Sequence, residues 1–571
     1  MKLRPNLNKK LVSQSQVFTM STSSTENEEI KPFQGHGPNE EAILTQRRNT
    51  NDDEVIDTNS ILSRKESQLI MNTESVYQTA STSSKPLPPM GDGRPYPPML
   101  PSRQPYEVCF NGPNDPDHPY NFPLWKKLLY GISVVIAPLS VSLGSAMFSQ
   151  GTEQIMETYH VGWTVASLGT SLFIFGFASG PVFWGPLSEL FGRKIIMILS
   201  GFLYECFSFA VATGKDIQTI IICRFFAGFL GSASYVLSPA ILADMFNSKS
   251  RGRAITVFSM VLFGGPMLGP IFGGFTVKNS SLGWRWTSYF CGIIGALSLV
   301  MNAFVLEETH HPLILVGRAE DLRRRTGNWG IYAAHEEVKL SIREIIENNV
   351  ARPLKMLVTE PILFFASLYN GFVYAILYCC LTAIPTVFEG RYHFSMGVAE
   401  LPYLSMLIGE IIGAGIVTLY DIKFQRIARE QGKLDPEAKL QPLIIGGFSF
   451  IIGLFWFGWC GDYAEHVHWI VPTIAVAFIG NGLITIFLPC FNYIIDCFLV
   501  VSASAMAANT FVRSCLACAF PLFSRQMFNN LTIKWAITLL GCLGALLLPV
   551  PFFFLKYGKK LRQKSKYAFV E

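Results

Sequence analysis

The sequence predicts an all-α integral membrane protein, with twelve transmembrane helices arranged as two bundles of six. Half of its 571 residues are hydrophobic, only 15% are charged, and the mean hydropathy is +0.32. That much apolar surface exceeds what water-soluble folds bury. Twelve apolar segments follow one another, each of about 20 residues and therefore long enough to cross a hydrocarbon core about 30 Å thick. The longest polar interruption between them falls after the sixth segment.

A polar segment precedes the first span. Ser, Thr, Asn, Glu and Pro dominate it, and it contains no apolar run long enough for a signal peptide. We expect residues 1–124 to form a disordered cytoplasmic tail. Order should begin close to Asn111, where Asp-Pro and His-Pro steps favour turns. Trp125 then suits the lipid headgroup layer, and Lys126 and Lys127 suit the inner membrane surface.

The apolar segments are separated by short polar loops. We predict spans at 128–149, 165–187, 195–213, 217–243, 254–276, 286–305, 361–388, 398–420, 442–460, 467–495, 499–523 and 533–555. They form a first six-helix bundle at 125–306 and a second at 358–556. A charged cytoplasmic loop at 307–357 joins the bundles, and a cytoplasmic tail occupies 557–571.

Lysine and arginine predict the orientation of the spans. The net charge of +5 lies mostly in loops and tails, which indicates orientation in a membrane rather than nucleic-acid binding. One side carries basic clusters such as 323–325 and 556–566, whereas the other has scattered residues such as Lys215 and Lys278. Both termini are therefore expected in the cytoplasm. We expect the plasma membrane as the location, with the vacuolar membrane as the alternative.

The two predicted bundles echo each other in sequence. Glu189 ends the second span and Asp421 ends the eighth, while Asp244 ends the fourth and Asp496 ends the tenth. Both pairs are separated by about half of the membrane region, as expected for parallel repeats.

Five ionisable residues lie at or near membrane depth, where a charge at a helix centre costs about 2.5–3.5 kcal/mol or more. They are Glu205, Arg224, Glu410, Arg513 and, just past the first span, Glu153. Two explanations stay open for each residue: an ion pair between helices, or a position beside a water-filled passage.

The sequence lacks the signatures of an enzyme. It contains no nucleophile elbow, no zinc-protease motif and no nucleotide-binding P-loop. Its twelve cysteines have no metal-ligand spacing, and Cys515-x-x-Cys518 lies inside a predicted span. We therefore expect no catalytic residues, cofactor or metal, and instead gradient-driven transport of a small molecule with protons. The protein is expected to act as a monomer in the lipid bilayer, without nucleic acid.

Three motifs carry a resemblance to a known family. Gly185-Pro-Leu-Ser-Glu-Leu-Phe-Gly-Arg-Lys194 resembles the loop between spans two and three of the major facilitator superfamily, with Glu189 where Asp is usual. The stretch that begins at Arg224 resembles its span-four motif. Span five resembles its antiporter motif. That motif comprises Gly265, Gly269, Pro270, Gly273 and Gly274.

Between about residues 111 and 557, the chain is similar to fungal twelve-span drug:proton antiporters, most closely to their polyamine-transporter branch. The resemblance implies the major facilitator fold, in which two six-helix bundles rock around a central cavity. It implies proton coupling through Arg224 and a gate network of Glu189, Arg193 and Asp244. It also implies that the antiporter motif of span five controls leak.

A polycation requires anionic and aromatic partners in such a cavity. We assign to it Glu410, Glu205, Tyr235, Phe173, Tyr374, Tyr378 and Arg513. The favoured hypothesis is a proton-coupled exporter of spermine-like polyamines and related organic cations. The alternatives are a broad exporter of azoles, weak acids and other drugs, and a membrane sensor whose N-terminal tail binds a partner. The span-one motif ending in Pro, common in drug exporters, is absent here.

Overall fold

A computed structural model describes residues 106–112, 114–337, 350–431 and 436–568. Most of the predicted disordered tail, part of the central loop and the last three residues lie outside the described residues. The helices are α1 (Leu124–Met147), α2 (Thr152–Tyr159), α3 (Trp163–Ser179), α4 (Pro181–Phe191), α5 (Arg193–Thr213), α6 (Ile217–Met245), α7 (Ser248–Lys278), α8 (Arg285–Phe304), α9 (His311–Thr326), α10 (Arg352–Thr359), α11 (Pro361–Phe388), α12 (Pro402–Gln431), α13 (Gln441–Asp462), α14 (Ile470–Cys497), α15 (Ser502–Leu547) and α16 (Pro549–Lys564).

The described helices account for the predicted spans. Ten helical segments are long and apolar enough to cross a membrane, and α3 with α4, bent by 43°, forms an eleventh. The last segment is a run of 61 residues, Ser504–Lys564, which is long enough for two spans of about 20 residues and a helical extension beyond them. Thr532 breaks this run with φ 62° and ψ 164°. Counting the run as two spans gives twelve, which confirms the predicted all-α membrane architecture.

The two halves of the molecule repeat a close helix crossing. In the first half α3 packs against α6, and in the second α12 packs against α14. A Cβ atom added at Gly176 or Gly228 would meet the main chain of the partner helix, and the same holds for Gly409 and Gly480. Small residues of this kind let membrane helices approach closely, because there is no side chain between the backbones.

Prolines inside the helices leave main-chain oxygens without an intrahelical donor, and serines of neighbouring helices supply one. Pro138 has no N–H to offer Val134, one turn earlier in α1. The Ser238 hydroxyl donates to that Val134 oxygen at 2.6 Å. Likewise, Ser142 of α1 donates at 2.9 Å to the main-chain oxygen of α7 that lies one turn before Pro266. Such contacts satisfy the freed groups at depths where water is absent.

The segment before α1 is folded onto the loop that follows the first half. Glu107 forms a parallel β-bridge with Tyr332. Arg318 of α9 donates to Asp115 at 2.9 Å and to Asp117 at 2.6 Å. These hydrogen bonds hold the pKa of Asp115 well below its usual range. The described residues that precede α1 are therefore packed against α9 and the loop that follows it.

Candidate functional site

The two halves meet along α3 with α15 and along α7 with α12. We call the end of the helices at which α1 begins the terminal end, and the other the far end. At the far end, Lys278 donates to Ser395 at 2.9 Å. Arg525 lies 3.4 Å from Glu153 and stacks over the Trp163 ring at 4.2 Å. These contacts hold the halves together at the far end.

An aromatic cluster fills the middle of the contact between the halves. The Tyr378 hydroxyl donates to Ser145 of α1 at 3.0 Å and lies 3.4 Å from the Tyr374 hydroxyl. Phe263 of α7 packs edge-on against Phe487 at 4.6 Å and against Tyr374 at 5.9 Å between ring centroids. Ser145, Phe263, Tyr374, Tyr378 and Phe487 are referred to below as the aromatic cluster. It brings together two of the predicted cavity residues.

Arg513 of α15 lies directly beside the aromatic cluster. Its guanidinium stacks over Tyr374 at 4.6 Å and over Phe487 at 5.3 Å. Its Nε has no hydrogen-bond partner, and no carboxylate of the described residues pairs with it. The buried amides of Asn370 and Asn509 also lack partners among the described residues. This part of the interface thus holds a positive charge with unused hydrogen-bonding capacity.

Arg224 is held inside the first half by main-chain oxygens and ring faces. Its Nε donates to Gly169 at 2.9 Å, and an Nη donates to Gly144 at 3.0 Å. The rings of Phe148 and Phe173 sandwich the guanidinium at 4.3 and 4.2 Å. Within the described part of the chain it forms no ion pair. The predicted cavity residue Phe173 therefore contacts the predicted coupling residue Arg224, and the contact is a cation–π interaction.

Glu410 is fully buried on α12, where that helix faces α7. Neither of its carboxylate oxygens has a hydrogen-bond partner among the described residues. Gly264 faces it, since a Cβ atom added there would lie 3.9 Å from Glu410 Oε2. An unpaired buried carboxylate is costly, so its retention between two helices of different halves is typical of a functional group.

The other two predicted cavity residues lie in the first half. Tyr235 packs edge-on against Phe177 at 4.3 Å, and its hydroxyl lies beside Ser142. Glu205 lies against Gly295 of α8, in a cavity whose lining residues all belong to the first half. Of the two carboxylates assigned to the substrate cavity, the structure thus places only Glu410 at the contact between the halves.

The antiporter motif fits α7 against α1. A Cβ atom at Gly265 would collide with Ser142, and one at Gly269 or Gly273 would come within 3.0 Å of α1 main-chain atoms. The helix continues through Pro270 to its end. The three glycines are spaced by four residues, so they line one face of α7. Only glycine allows the two backbones to approach this closely.

Gly274 completes the motif from the opposite face of α7. A Cβ atom there would lie 3.0 Å from the Gly397 Cα atom and 2.9 Å from Glu400 Cγ. Both residues belong to the second half. Glu400 is buried and one of its oxygens has no partner among the described residues. Glu400 was not selected in the sequence analysis, because it lies at the predicted start of a span, where acids are common.

A polar cluster closes the terminal end of the first half. Arg193 pairs with Asp244 at 3.3 Å and donates to Ser188 at 2.6 Å. The Glu308 carboxylate accepts from the main-chain N–H groups of Arg193 at 2.9 Å and Lys194 at 3.2 Å. Glu308 thereby caps the first turn of α5, whose N–H groups have no intrahelical acceptor. Ser188, Arg193, Asp244 and Glu308 form what we call the first clamp.

The second half has a counterpart, the second clamp. Lys439 pairs with Asp496 at 2.7 Å, and Arg562 pairs with Glu437 at 2.8 Å. Asp244 and Asp496, which the sequence comparison of the halves had paired, thus both receive a basic residue from the loop before the preceding helix. Glu189, predicted as part of the gate, is exposed and its carboxylate lies outside the first clamp. Glu308 was missed, because Glu307 beside it gives the same signal in the sequence and only the fold brings Glu308 onto the main chain of Arg193.

Comparison with known proteins decides the family. The sequence profile of the Major Facilitator Superfamily matches residues 131–521. The chain belongs to the major facilitator superfamily. Its members are membrane transporters rather than enzymes, and the chain is accordingly a multi-pass membrane protein.

Several fungal members of the superfamily are similar along almost the whole chain. The major facilitator superfamily multidrug transporter FLU1 of Candida albicans is 64% identical over 557 residues, which cover 97% of this chain and 91% of that protein. The multidrug transporter TPO1_2 of Candida glabrata is 47% identical over 91% of this chain and 90% of its own length. Multidrug transporter TPO1_1 of the same species is 43% identical over 96% of each chain.

Solved structures share the fold. The proton:xylose symporter XylE, bound to 6-bromo-6-deoxy-D-glucose, superposes with a TM-score of 0.56 over 76% of this chain and 96% of its own. Its sequence is 16% identical. The similarity therefore concerns the arrangement of helices and not the substrate.

Proposed function

We propose that the protein is a proton-coupled antiporter that exports spermine-like polyamines and related organic cations from the cytoplasm. The terminal end faces the cytoplasm in this proposal, and the plasma membrane is its location. The names of the fungal relatives, which are multidrug transporters, support export of foreign or surplus molecules. The observation that carries the choice of cations is Glu410, a buried carboxylate without a partner at the contact between the halves.

The exchange follows from the charge of Glu410. When ionised, the carboxylate attracts an ammonium group of the substrate, which enters from the terminal end while the far end is held closed. The ring faces of Tyr374 and Tyr378 offer cation–π contacts to further ammonium groups. A proton arriving from the far side neutralises Glu410 and releases the cation. Because one carboxylate cannot hold both ligands, proton and cation cross the membrane in opposite directions.

The test is efflux of labelled spermine from vesicles with an imposed pH gradient, with and without a protonophore. Glu410→Gln should abolish gradient-driven spermine export, because the amide neither attracts an ammonium group nor titrates. Glu430→Gln on the same helix is the control, since Glu430 is exposed beyond the membrane segment. Undiminished, proton-coupled export by Glu410→Gln would remove Glu410 from the mechanism.

A second candidate is a broader exporter of neutral and weakly acidic drugs. The observation that favours it is the positive charge beside the aromatic cluster, where Arg513 has no carboxylate partner among the described residues. Such a charge repels a polycation and attracts an organic anion. Export of labelled benzoate and fluconazole, measured beside spermine in the same vesicles, separates the candidates. Export of the drugs without spermine would select the second.

A further inference from the structure

A small cavity lies inside the first half, among α1, α5, α6 and α8. Its volume is about 20 Å³, which is enough for one water molecule. Glu205, Ser234, Ser298 and Asn302 contribute polar groups to its lining. The remaining lining residues are mostly aliphatic or small. The cavity has room for one water molecule beside these polar groups and is too small for a drug or a polyamine.

Two polar atoms of this lining are buried without a hydrogen-bond partner in the described part of the chain. They are Oε2 of Glu205, whose residue is 5% exposed, and Oδ1 of Asn302. Leaving such atoms unsatisfied costs free energy, because each loses the hydrogen bonds that it makes with water in the unfolded chain. A protonated Glu205 could donate to one water molecule, which in turn donates to Asn302. The two acceptors therefore fit a carboxyl that carries a proton better than a carboxylate.

Gly295 is the residue that makes room for this carboxyl. A Cβ atom added at Gly295 would collide with Glu205 Oε1 and would lie 3.0 Å from the Ser140 hydroxyl. The glycine therefore leaves the space between α5 and α8 that the Glu205 side chain occupies. A carboxyl that only filled space would not require such a slot, because an aliphatic side chain packs there at lower cost.

A tyrosine connects this cavity with Arg224. Tyr204 lines the Glu205 cavity and also a second cavity of about 10 Å³, which Arg224, Ser208 and Cys291 line as well. The Tyr204 hydroxyl lies 3.4 Å from Ser140. Tyr204 therefore lies between the Glu205 cavity and Arg224, in an interior of low dielectric where water screens charges only weakly.

The groups that face Glu205 come from each helix around it. Tyr204 of its own helix and Cys291 of α8 are the titratable ones, and Arg224 of α6 is the charged one beyond them. α1 contributes the neutral Ser140. No basic residue pairs with Glu205 within the described residues, so nothing fixes it in the ionised form.

We propose that Glu205 is a proton-binding site of the first half, separate from the substrate site, and that its charge acts on Arg224 through Tyr204. The proton comes from solvent water, binds Oε2 and returns to water, and no other bond changes. With Glu205 protonated, Arg224 keeps its bonds to the α1 and α3 oxygens. With Glu205 ionised, the attraction between the two charges weakens those bonds and loosens α6 against its neighbours. This proposal rests on the proposed proton antiport but uses a different carboxyl.

Infrared difference spectra of the intact protein test the titration directly. Spectra recorded across a pH range should contain a protonated-carboxyl band that Glu205→Gln removes and that Glu410→Gln retains. Gly295→Ala should shift that band, because it displaces the carboxyl. Gly131→Ala in α1 is the matched control, since its Cβ atom would meet only Leu242 at 3.8 Å. Absence of a band that depends on Glu205 at any pH would overturn the proposal.

Transport then separates this proposal from the proposed function. Glu205→Gln should lower gradient-driven export at least about tenfold, as for the loss of a proton-transfer group, and should reduce substrate counterflow much less. Equal loss of both would overturn the proposal, as would full gradient-driven export. If the wild type itself shows no response to the gradient, the proposed function fails, whereas the infrared band still decides whether Glu205 titrates. Should Glu205→Gln not fold, Glu205→Asp decides the test: because it moves the carboxyl without removing it, the band should shift rather than disappear, and an unshifted band would overturn the proposal.

Discussion

Ser238 on α6 donates a hydrogen bond of 2.6 Å to the main-chain oxygen of Val134 on α1. This oxygen is the one that Pro138 leaves without an intrahelical donor. A main-chain oxygen of one helix is thus satisfied by a side chain of another, which ties α6 to α1. The first half contains a second bond of this kind, in which the Ser142 hydroxyl of α1 donates to a main-chain oxygen of α7.

Ser238→Ala should lower the free energy of unfolding by about 1–3 kcal/mol, because it strands a buried carbonyl. Thermal unfolding of the detergent-solubilised protein measures this. Ser232→Ala is the control, since the Ser232 hydroxyl bonds only to Phe229 of its own helix. Equal loss in the two variants would show that the bond between helices contributes nothing of its own.

Gly269→Val should destabilise the protein by about 1–3 kcal/mol, the usual cost of overpacking. Any Cβ atom at Gly269 lies 3.0 Å from main-chain atoms of α1. The same substitution at Gly252 in the same helix should be tolerated, because nothing lies within 4 Å of its Cβ position. Yield of monodisperse protein and the unfolding temperature report the difference; similar values for both would contradict the packing role of the motif.

Arg513→Met should weaken export of organic anions more than export of spermine, because the charge that attracts an anion is lost, and it should not lower the unfolding temperature. The substitution removes a buried charge that has no carboxylate partner among the described residues, and such charges cost stability. Arg562→Met should instead lower the unfolding temperature, because it leaves Glu437 unpaired. A marked loss of stability in Arg513→Met would mean that its ring contacts serve the fold rather than transport.

Glu308→Gln should lower the free energy of unfolding by about 1 kcal/mol, since a charged cap is lost from the first turn of α5. The neighbouring Glu307→Gln should change it by less than about 0.5 kcal/mol, because Glu307 forms an exposed ion pair with Lys126. Thermal unfolding of the two variants side by side makes the comparison. The reverse order of effects would remove Glu308 from the first clamp.

The burial of His310 at the terminal end predicts that the protein loses stability at acid pH. Burial, with the nearby Arg193 and two histidines, lowers the pKa of His310 to about 4. The unfolded chain binds the proton more readily, so the contribution to stability is present above about pH 6.5 and is lost as the pH falls toward about 4. Between about pH 7 and pH 5 the loss should reach about 1 kcal/mol, after allowance for solvent screening.

The unfolding temperature of His310→Gln should therefore depend less on pH over this range than that of the wild type. His466→Gln, at an exposed far-end loop, serves as the control. An identical pH dependence in His310→Gln and the wild type would exclude His310 as the source of the acid sensitivity.

Hydrophobicity and loop charge sufficed for the number of spans and for the division into halves. They also located the buried acids and bases, because an ionisable residue within an apolar run is conspicuous. The boundary between the last two spans was harder to predict, since Thr532 ends one helix and begins the next without a loop. Two spans predicted ten residues apart are therefore joined by a single non-helical residue.

The sequence alone could not predict which face of its helix a charged residue occupies. Glu205 and Glu410 give the same signal, an acid in an apolar run, yet one lies inside a half and the other between halves. The difference arises from the partner glycines, Gly295 and Gly264, which are remote in sequence. Glu308 could have been recognised as a cap only by knowing that α8 returns to the start of α5.

Each clamp joins helices of its own half, and neither clamp bridges the two halves. α6 is tied to the loop before α5, and α14 to the loop before α13, so the terminal ends of α6 and α14 can separate without breaking either set of ion pairs. A pair of nitroxide labels placed within one half should therefore report one distance throughout the transport cycle. A pair with one label in each half should report two distances. The difference between these distances measures how far the halves move relative to each other during transport.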